Sequence, residues 1–541
     1  MKQSRTHLLV PVDVNTTVAG ARDVLDTLTT EIAANDLQDE VRIVETGSFG
    51  PVDAGVVVAV QPDGVLYGRV DKEAAQQIVR EHLLKGRRCE DYVLEEEFSV
   101  PEEAAMPRTE RVVLDNCGRI NPDSIEEYIS ADGYFGLAKA LDSMTAEQVL
   151  TTVKDSGLRG RGGAGFPTGM KWGFCAQAEG GPKVVICNAD EGEPGTFKDR
   201  LIMEGDPHKV VEGMAVCAYA IGASLGYIYI RGEYALSIQR IRTAIESARR
   251  YGLLGTNIMD SGFDFDIEIK IGAGAYVCGE ETALINSMEG KPGLPRMKPP
   301  FPATAGYLGL PTNVNNVETL ANLPAILRHG ADWFRTLGAD KTPGTKVYTI
   351  LGHIRHSGLI EVPSGITLRE VIERYGNGMR PGSTFKMAHL GGTAGDILGE
   401  EMLDVPLDYD ALANVGHVLG SGAILVMDTS VPVADLLYSS MKFFVHESCG
   451  RCTPCRLGCR QLLDITARLR ERQAYPGDLE LMEELCTSIG LSAFCPLGQS
   501  VANPLLSALR YFRPELEAAV DRTLTRPEPR RNNMELMAFS S

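Results

Sequence analysis

Four cysteines near the C-terminal end of the sequence have the spacing that holds an inorganic cluster. Cys449, Cys452 and Cys455 form a C-x-x-C-x-x-C run, and Cys495, directly before Pro496, comes from a distant segment. Three thiolates at this spacing can bind one face of a cubane, and a fourth from elsewhere can complete the site, as in iron–sulfur proteins. The cysteines therefore predict a [4Fe–4S] cluster, whose chemistry is one-electron transfer.

The cysteines allow three other interpretations, and each fits the sequence less well. A structural zinc usually takes two separated C-x-x-C pairs or mixed Cys and His ligands, and only His446 lies close to the run. Disulfide frameworks are typical of small secreted chains, not of 541 residues without a signal peptide. Cys459 occupies the position of the fourth ferredoxin cysteine, but Arg460 follows where that run has proline. We expect Cys459 and Cys486 to lie on helices as small apolar side chains.

A glycine-rich stretch has the composition of a loop that binds an anion or a flat ring. Glycines without a Cβ expose backbone N–H groups, which suits a phosphate or close packing against a ring. These glycines are Gly160, Gly162, Gly163 and Gly165. Lys171 follows as a countercharge, and aromatic faces for stacking follow at three nearby positions. They are Phe166, Trp172 and Phe174. The alternative is a surface loop whose aromatic side chains pack inward.

The same stretch matches G-x-G-x-x-G, the fingerprint of Rossmann dinucleotide folds, but its context differs. That fingerprint follows a strand and opens a helix. Here the loop follows a predicted helix at residues 146–156, and the next predicted strand comes only at residues 183–186. Residues 166–169 are not expected to start a helix where the fingerprint needs one. The sequence therefore predicts a non-Rossmann α/β domain.

Acidic side chains follow the predicted strand at residues 183–186. Asp190, Glu191 and Glu193 lie within four residues of one another and would repel unless they bind something. Because α/β proteins place ligand groups after the carboxyl ends of strands, hydrogen bonds to ribose or ribityl hydroxyls would account for them. A site for a hard cation is the rival interpretation. Two further polar stretches are residues 272–282 and 311–319, and the Asn-Asn pair of the second could be a helix cap.

These segments belong to an α/β multi-domain chain. Residues 1–104 show strand and helix patterns in βαβ–ββα order, typical of a thioredoxin-like domain. Cys89 is the only cysteine there, so this domain lacks cluster ligands and is predicted to be a structural or docking module. Residues 105–340 contain the glycine and acid motifs and form the predicted binding domain.

The remaining sequence is predicted to form two smaller domains and a tail. Residues 341–432 have strand and turn patterns typical of a compact β-grasp (SLBB-like) domain, with a short helix at residues 367–375. Helical periodicity over residues 433–525 predicts a helical bundle that carries the cysteines. Residues 526–541 lack periodicity and are predicted to be a tail.

Composition excludes several classes of partner. Lys+Arg 53 against Asp+Glu 72 gives a net charge of −19, which would repel nucleic acid and acidic membranes. No window approaches the 18 or so uninterrupted apolar residues of a membrane-spanning helix, and the first residues show no secretory signal. Cysteines scattered singly are typical of a reducing compartment. We therefore expect a cytoplasmic protein with protein partners and no membrane insertion.

Five motifs in order resemble the 51 kDa-type NADH- and FMN-binding subunit of respiratory complex I and its relatives. Those relatives are the diaphorase subunits of soluble NAD-dependent formate dehydrogenases and hydrogenases. The motifs are residues 157–172, 188–195, 272–282, 313–319 and 447–458. The resemblance implies hydride exchange between NAD(H) and FMN and single-electron exchange with the [4Fe–4S] cluster. Catalysis would consist of positioning and tuning the cofactors, with no general acid or base.

Matched position by position, the resemblance also implies roles for individual residues. Phe166 and Phe174 would sandwich the adenine of NADH, and Lys171 would lie near its pyrophosphate. Glu193 and Glu281 would lie near its ribose and nicotinamide. The side chains that would line FMN are Asn188, Asp190, Glu191, Tyr276, Glu280, Asn315 and Asn316. The cluster would be held by Cys449, Cys452, Cys455 and Cys495.

The resemblance favours one assembly over two others. More than 100 residues precede the glycine motif, residues 121–134 resemble the soluble branch, and no cysteine-rich ferredoxin segment is added. The favoured identity is the beta subunit of a molybdenum or tungsten NAD-dependent formate dehydrogenase. Its partners would be a formate-oxidising alpha subunit and a small [2Fe–2S] thioredoxin-like gamma subunit. The alternatives are the diaphorase subunit of an NAD-reducing or bifurcating hydrogenase and the NADH-binding subunit of complex I. A non-catalytic electron-relay scaffold would have no use for Lys171 and the acids at 190, 191 and 193.

Overall fold

The computed structural model describes residues 4–49, 53–94 and 111–525. The predicted tail at 526–541 and the predicted boundary at 104/105 lie outside these residues. The chain forms four units: the N-terminal unit (described residues up to 94), the central unit (111–335), the β-grasp unit (338–428) and the helical unit (433–525). The predicted domain boundaries stay predictions.

The N-terminal unit has the βαβ–ββα order and the thioredoxin-like fold that the sequence predicts. Its elements are β1 (Thr6–Pro11), α1 (Val14–Val18), α2 (Ala21–Ala34), β2 (Val41–Thr46), β3 (Val58–Gln61), β4 (Val65–Tyr67) and α3 (Lys72–Gln77), which continues as a π-helical turn (Ile78–Leu83). The strand order is β2-β1-β3-β4, with β1 and β2 parallel and the other pairs antiparallel. Leu8 and Val10 alternate with more exposed neighbours and are fully buried beside Leu28 of α2.

The central unit is built on a parallel sheet of order β7-β6-β5-β8. Its strands are β5 (Lys183–Ala189), β6 (Ala223–Arg231), β7 (Asp266–Gly272) and β8 (Thr312–Asn316). Its helices are α4 (Ile125–Ser130), α5 (Phe135–Ser143), α6 (Ala146–Asp155), α7 (Thr168–Gln177), α8 (Lys198–Gly205), α9 (Pro207–Ile221), α10 (Ala235–Arg250), α11 (Glu281–Met288), α12 (Pro302–Ala305), α13 (Val317–Ala321), α14 (Leu323–His329) and α15 (Ala331–Arg335). Val184 to Cys187 form an apolar run that is buried on both faces, as parallel strands require.

The glycine loop joins α6 to α7, so no strand precedes it and the non-Rossmann context is as predicted. One detail of the prediction is wrong, because a helix does begin right after the loop, at Thr168. Pro167 stands at its N-cap. The N–H groups at the start of a helix have no intrahelical partner, so a proline there loses no hydrogen bond and does not prevent the helix.

The β-grasp unit is a five-stranded mixed sheet of order β12-β11-β15-β13-β14 with short helices. Its elements are β9 (Gly338–Ala339), β10 (Thr342–Pro343), β11 (Thr345–Gly352), β12 (Gly358–Pro363), α16 (Leu368–Glu370) with a π-helical turn (Val371–Tyr375), β13 (Phe385–Leu390), β14 (Asp396–Leu398), α17 (Tyr409–Asn414) and β15 (Ala423–Asp428). The short helix predicted at residues 367–375 is present, and the side chain of Thr367 caps it. Tyr348, Leu390 and Val426 lie in its core.

The helical unit carries the cysteines between its helices. It consists of α18 (Val433–Glu447), α19 (Thr453–Arg470), α20 (Asp478–Ser492), α21 (Pro496–Ser500) and α22 (Ala502–Glu517). Leu437, Phe444 and Leu462 belong to its core, which is continuous with the face of the central sheet that carries Val184 and Ile186. Among the described residues, no helix is both long enough and apolar enough to cross a bilayer.

A buried ion cluster joins the β-grasp unit to the central unit. The Glu318 carboxylate on α13 lies 2.7 Å from Lys346 Nζ of β11 and 2.9 Å from Lys198 Nζ of α8. The backbone N–H of Val347 donates to the other carboxylate oxygen at 2.9 Å. All three charged side chains are at most 1% exposed, and burial lowers the pKa of Lys346 to about 8. Charged groups that are removed from water in this way are stable only beside oppositely charged or hydrogen-bonding partners.

We expect Glu318→Ala to lower the free energy of unfolding by about 3–5 kcal/mol, because it leaves the Lys346 ammonium group buried without its countercharge, whereas Lys198 keeps Asp199. Urea denaturation followed by circular dichroism measures the change. Glu483→Ala is the matched control, since the Glu483–Arg513 pair is exposed and such pairs contribute about 0–1 kcal/mol. Equal losses in the two variants would contradict a structural role for the buried cluster.

Candidate functional site

The carboxyl ends of the four parallel strands meet at one edge of the central sheet. β5 pairs with β6 on one side and with β8 on the other, so the direction in which strands are added reverses between β5 and β8. Asn188 at the end of β5 is the register partner of Asn316 at the end of β8. A reversal of this kind opens a crevice beyond the strand ends, where α/β proteins bind ligands. The acid and amide motifs converge there.

Asp190 is a buried acid with one oxygen left without a partner. Its backbone N–H donates to Asn188 Oδ1 at 3.1 Å, and Asn188 Nδ2 donates to the Gly279 carbonyl at 2.9 Å. Asp190 Oδ2 is buried and has no hydrogen-bond partner within the described protein. Burial raises the pKa of Asp190 to about 7, although Arg231 opposes the shift. An orphaned acceptor at a strand edge fits a ligand that brings a hydroxyl or amide donor.

Glu191 is held by the start of α8 rather than left free. Its carboxylate accepts from the backbone N–H groups of Asp199 at 2.9 Å and Arg200 at 3.1 Å, and the Tyr234 hydroxyl donates at 3.2 Å. Arg231 donates to the Glu191 carbonyl at 2.6 Å. Burial, with the charge of Asp199, raises the pKa of Glu191 to about 7. The predicted contact between Glu191 and FMN stays a prediction.

Asn316 and the glycine loop pack directly on each other. Asn316 caps α13 by accepting from Glu318 N–H at 3.0 Å and donates to Asp199 Oδ2 at 2.5 Å. A Cβ at Gly162 would lie 3.1 Å from the Asn316 Cβ, and one at Gly165 would lie 2.5 Å from the Tyr409 ring. Glycine is therefore required where the loop passes between the central and β-grasp units. The same close approach brings the loop of Gly160 and Gly163 to the crevice.

Two of the predicted residues point away from the crevice. Asn315 is buried, donates to Asn313 Oδ1 at 2.7 Å and accepts from Trp172 Nε1 at 3.2 Å. Trp172 is fully buried, so the prediction that its face is free for stacking is wrong. Its indole spans from α7 to β8, where its apolar surface adds to the core and its N–H has a partner. A contact between Asn315 and FMN stays a prediction.

Phe166 and Phe174 keep free faces. They are 47% and 55% exposed on either side of the buried Trp172. Phe166 precedes α7 and Phe174 lies in its second half. A ligand stacked on either ring would remove apolar surface from water, which is favourable. Their exposure suits the predicted stacking of adenine, which stays a prediction.

Two ammonium groups flank one carboxylate at the rim. Lys171 Nζ and Lys298 Nζ each lie 3.0 Å from an oxygen of Glu281, and Lys298 Nζ lies 2.9 Å from Glu280. Glu280 also caps α11 by accepting from the backbone N–H groups of Thr282 and Ala283. Burial would raise the pKa of Glu281, but the two ammonium groups outweigh it and hold that pKa below its usual value. The two ammonium groups balance the carboxylates of Glu280 and Glu281, so this rim carries no net charge without a ligand.

Lys298 was not predicted as a site residue, and neither were Arg231 and Tyr234. Lys298 lies in the segment Met297-Lys-Pro-Pro, whose path cannot be deduced from local patterns. Arg231 is the last residue of β6 and Tyr234 follows it. Their position at the carboxyl end of a strand parallel to β5 indicates a site once the sheet is known.

Tyr276 connects the crevice to the cysteine-bearing helices. Its hydroxyl donates to Glu193 Oε2 at 2.5 Å, and its backbone N–H donates to Glu447 Oε2 at 3.0 Å. Its ring meets Phe443 of α18 edge-on at 5.1 Å between centroids. Glu193 also accepts from Ala394 N–H of the β-grasp unit at 2.9 Å. Three units therefore meet at Tyr276, next to the start of the cysteine run.

The structure brings the four predicted ligands to one end of the helical unit. Cys449 and Cys452 are partly exposed between α18 and α19, whereas Cys455 and Cys495 are buried. Cys452 and Cys495 are the N-caps of α19 and α21, and burial raises the pKa of the Cys495 thiol. A Cβ at Gly498 would lie 3.7 Å from Cys455 Sγ, so α21 packs against the ligand run.

In the described part of the chain, no group of three or more His, Cys, Asp or Glu side chains is placed to hold a single metal ion. Cys459 lies inside α19 and Cys486 inside α20, both fully buried, as expected. Cys459 Sγ is 3.9 Å from Cys455 Sγ, and this contact lowers the pKa of Cys455. As a thiol, Cys459 can donate to the ligand sulfur.

Two family models, related proteins and solved structures match this chain. Residues 153–325 match the model of the Nuo51 FMN-binding domain, and residues 435–519 match that of the NADH-ubiquinone oxidoreductase-F iron-sulfur binding region. The NADP-reducing hydrogenase protein HndC of Solidesulfovibrio fructosivorans is 52% identical over 76% of this chain and 84% of its own length. An NADH-quinone oxidoreductase component of Rhizobium meliloti is 48% identical over 76% of this chain and 98% of its own. A chain in the crystal structure of an H2-reduced NAD+-reducing [NiFe]-hydrogenase superposes with a TM-score of 0.66 at 31% identity, covering 96% of this chain and 84% of that one.

We expect Asp190→Asn to stabilise the FMN-free protein at pH 8 more than at pH 5. A pKa raised to about 7 means that the folded state holds the proton, so wild-type stability falls as pH rises from about 4 to about 7. The asparagine variant lacks this fall. The gain at pH 8 should exceed that at pH 5 by about 2–3 kcal/mol, at 1.36 kcal/mol for each pKa unit. Thermal unfolding at both pH values measures it, and Asp464→Asn, exposed on α19, is the control.

We expect Cys495→Ser to abolish the visible absorbance and the low-temperature EPR signal of the cluster, because it removes a predicted ligand. Cys459→Ser should retain both, since a serine hydroxyl still fits inside α19. Iron and sulfide content per chain is the quantitative measure. Loss of iron in the Cys459 variant together with retention in the Cys495 variant would reverse the ligand assignment.

Proposed function

Because this chain belongs to the 51 kDa-type family of NADH- and FMN-binding subunits, we propose that it is the diaphorase subunit of a hydrogenase-type complex. Its cofactors are FMN, NAD(H) and a [4Fe–4S] cluster, and it is an oxidoreductase subunit of the NADH dehydrogenase type. The observation that carries the proposal is the contact of Tyr276 with both Glu193 and Glu447. It joins the nucleotide crevice to the cysteine run within one chain.

We assign the crevice to FMN and its outer rim to NAD(H). When bound, FMN exchanges electron pairs with NAD(H) and single electrons with the cluster. The orphaned oxygen of Asp190 would accept from a ligand hydroxyl, and Gly162 lets the loop approach closely. Lys171 and Lys298 would turn from Glu280 and Glu281 to the nucleotide phosphates. The protein's part is then to bind, to orient and to exclude water, with no side chain required as an acid or base.

The relatives support the hydrogenase and complex I alternatives better than the formate dehydrogenase that the sequence favoured. The compared hydrogenase chain covers 96% of this chain, which includes most of the N-terminal unit. The compared NADH-quinone oxidoreductase component covers 76%. We therefore propose a hydrogen-oxidising subunit as the partner, with a small [2Fe–2S] subunit between them. A cytoplasmic location remains a prediction from the sequence.

Purification of the native complex through a tag on this chain tests the proposal. The complex should reduce NAD or NADP with hydrogen, and both nucleotides are assayed because one relative is named as NADP-reducing and another as an NADH-quinone oxidoreductase. Reduction with formate but not hydrogen would restore the formate dehydrogenase assignment. A preparation without NADH-dependent reduction of ferricyanide would overturn the diaphorase function itself.

We expect Phe174→Ala to raise the KM for NADH about tenfold while changing kcat less than about twofold, with ferricyanide as acceptor. Stacking of a base on an aromatic ring contributes about 1–3 kcal/mol, and 1.4 kcal/mol is a factor of ten. Met170→Ala is the matched control, because Met170 is similarly exposed on the same helix but has no flat face. An unchanged KM in the Phe174 variant would remove the adenine assignment.

A further inference from the structure

The N-terminal unit has no cluster ligands, yet it is seated closely on the central unit. A Cβ at Gly47, just after β2, would lie 2.4 Å from the Cα of Gly205, so the two backbones touch. Val14 N–H donates to Glu204 Oε2 at 3.4 Å, and Arg200 Nη2 donates to Asn15 Oδ1 at 3.4 Å. All of these central-unit contacts fall on one helix, α8. The seat is therefore formed mainly by α8, with a further ion pair between Arg42 and Glu127 of α4.

The polar groups at this seat are buried. Glu204 is fully buried, accepts from Ser237 Oγ at 3.3 Å and lies 4.0 Å from Arg200 Nε. The fully buried guanidinium of Arg240 donates to the Glu204 carbonyl. Burial raises the pKa of Glu204 to about 7. These contacts lie within the central unit, and the N-terminal unit adds the Val14 N–H donor and covers Glu204 from water.

The opposite end of α8 holds side chains of the crevice. The backbone N–H groups of Asp199 and Arg200 bind the Glu191 carboxylate. The Asp199 carboxylate accepts from Asn316 Nδ2 at 2.5 Å, and Lys198 Nζ lies 3.4 Å from Asn316 Oδ1. α8 has 8 residues, which is about 12 Å of rigid backbone. A shift at its C-terminal end must therefore reach its N-terminal end.

We propose that the N-terminal unit is a positioning element of the flavin site. By fixing the C-terminal end of α8 it fixes the start of that helix, and with it Glu191 and Asn316. The N-terminal unit then has the fold of a carrier of redox groups but acts here only through its contacts with the central unit. This inference rests on the proposed FMN crevice.

The test is Gly47→Ala in the full-length chain. Gly47 has no positive φ, so alanine suits its own backbone, but the new methyl group meets Gly205 and acts as a wedge. The matched control is Gly490→Ala on α20, where a Cβ would lie 3.9 Å from its nearest neighbours. FMN is removed and added back, and its Kd is read from the quenching of flavin fluorescence.

We expect the wedge to raise the Kd for FMN about tenfold, which is 1.4 kcal/mol, and to shift the visible absorption bands of bound FMN. Deuterium uptake by the FMN-bound protein should accelerate over residues 198–205. The control should change the Kd less than twofold and leave the absorption bands in place. Faster exchange at residues 13–16 and 43–49 with an unchanged Kd would overturn the inference and leave the unit as an attachment only.

A milder pair of variants decides the question if the wedge prevents folding. Asn15→Ala removes the contact to Arg200, and Asn35→Ala removes a hydrogen bond of 2.7 Å to the Glu31 carbonyl within the same unit. We expect the first to raise the Kd for FMN about threefold and the second to leave it unchanged. Equal effects of the two variants would attribute any loss to the stability of the unit. A wild-type chain that binds no FMN would instead refute the proposed crevice.

Discussion

The buried carboxylate of Glu318 determines how the parts of the site are placed. One of its oxygens lies within 3 Å of two ammonium groups, those of Lys198 and Lys346, and the other accepts from the backbone of Val347. A charge at this depth is stable only with its partners in place. α8, α13 and β11 therefore cannot move apart without leaving charges unpaired. Because Asn316 precedes α13 and the glycine loop packs on Asn316, the shape of the crevice depends on this contact.

The cofactor set explains why the cysteine helices are held against the crevice. Nicotinamide exchanges electrons in pairs and an iron–sulfur cluster exchanges them singly, so a flavin that can do both must lie close to each. Tyr276 contacts Glu193 on the crevice side and Phe443 and Glu447 on the side of the cysteine run. The apolar packing also joins the central and helical units, since Val184 and Ile186 of β5 share one buried cluster with Phe444 and Leu462. The two sites are parts of one packed body.

The sequence predicts the candidate site best where residue type and spacing alone determine the chemistry. Cysteine spacing, the glycine loop and the acids after β5 are local patterns, and they led to the family and its cofactors. The thioredoxin-like order also followed from periodicity alone. The sequence-based prediction is wrong for Trp172, which is fully buried. Whether an aromatic residue faces solvent or core depends on which side of α7 packs against the sheet. The helix that begins at Thr168 is also not predicted, and Pro167 stands at its N-cap.

Other site residues could not be predicted because their roles arise from contacts distant in sequence. Lys298 reaches Glu280 and Glu281 from an irregular segment, and Arg231 reaches the backbone of Glu191 from the next strand. Glu191 shows the same limit in reverse. Its motif marks it as a ligand group, whereas its carboxylate is held by the N–H groups of α8. A motif locates a site, but the partners of each side chain follow only from the packing of whole elements.

Buried acids give this packing a cost that the rest of the fold must offset. Burial raises the pKa values of Asp190, Glu191 and Glu204 to about 7, so each carboxylate destabilises the folded chain when it is ionised. Such groups are concentrated at functional sites, where a ligand or a second element compensates for them. Glu191 and Glu204 both interact with α8, one near each end. A helix that interacts with two buried carboxylates needs a rigid neighbour on its outer side. The N-terminal unit is this neighbour, because its Gly47 contacts Gly205 of α8. This gives a physical reason for a domain without redox ligands to remain attached to a redox subunit.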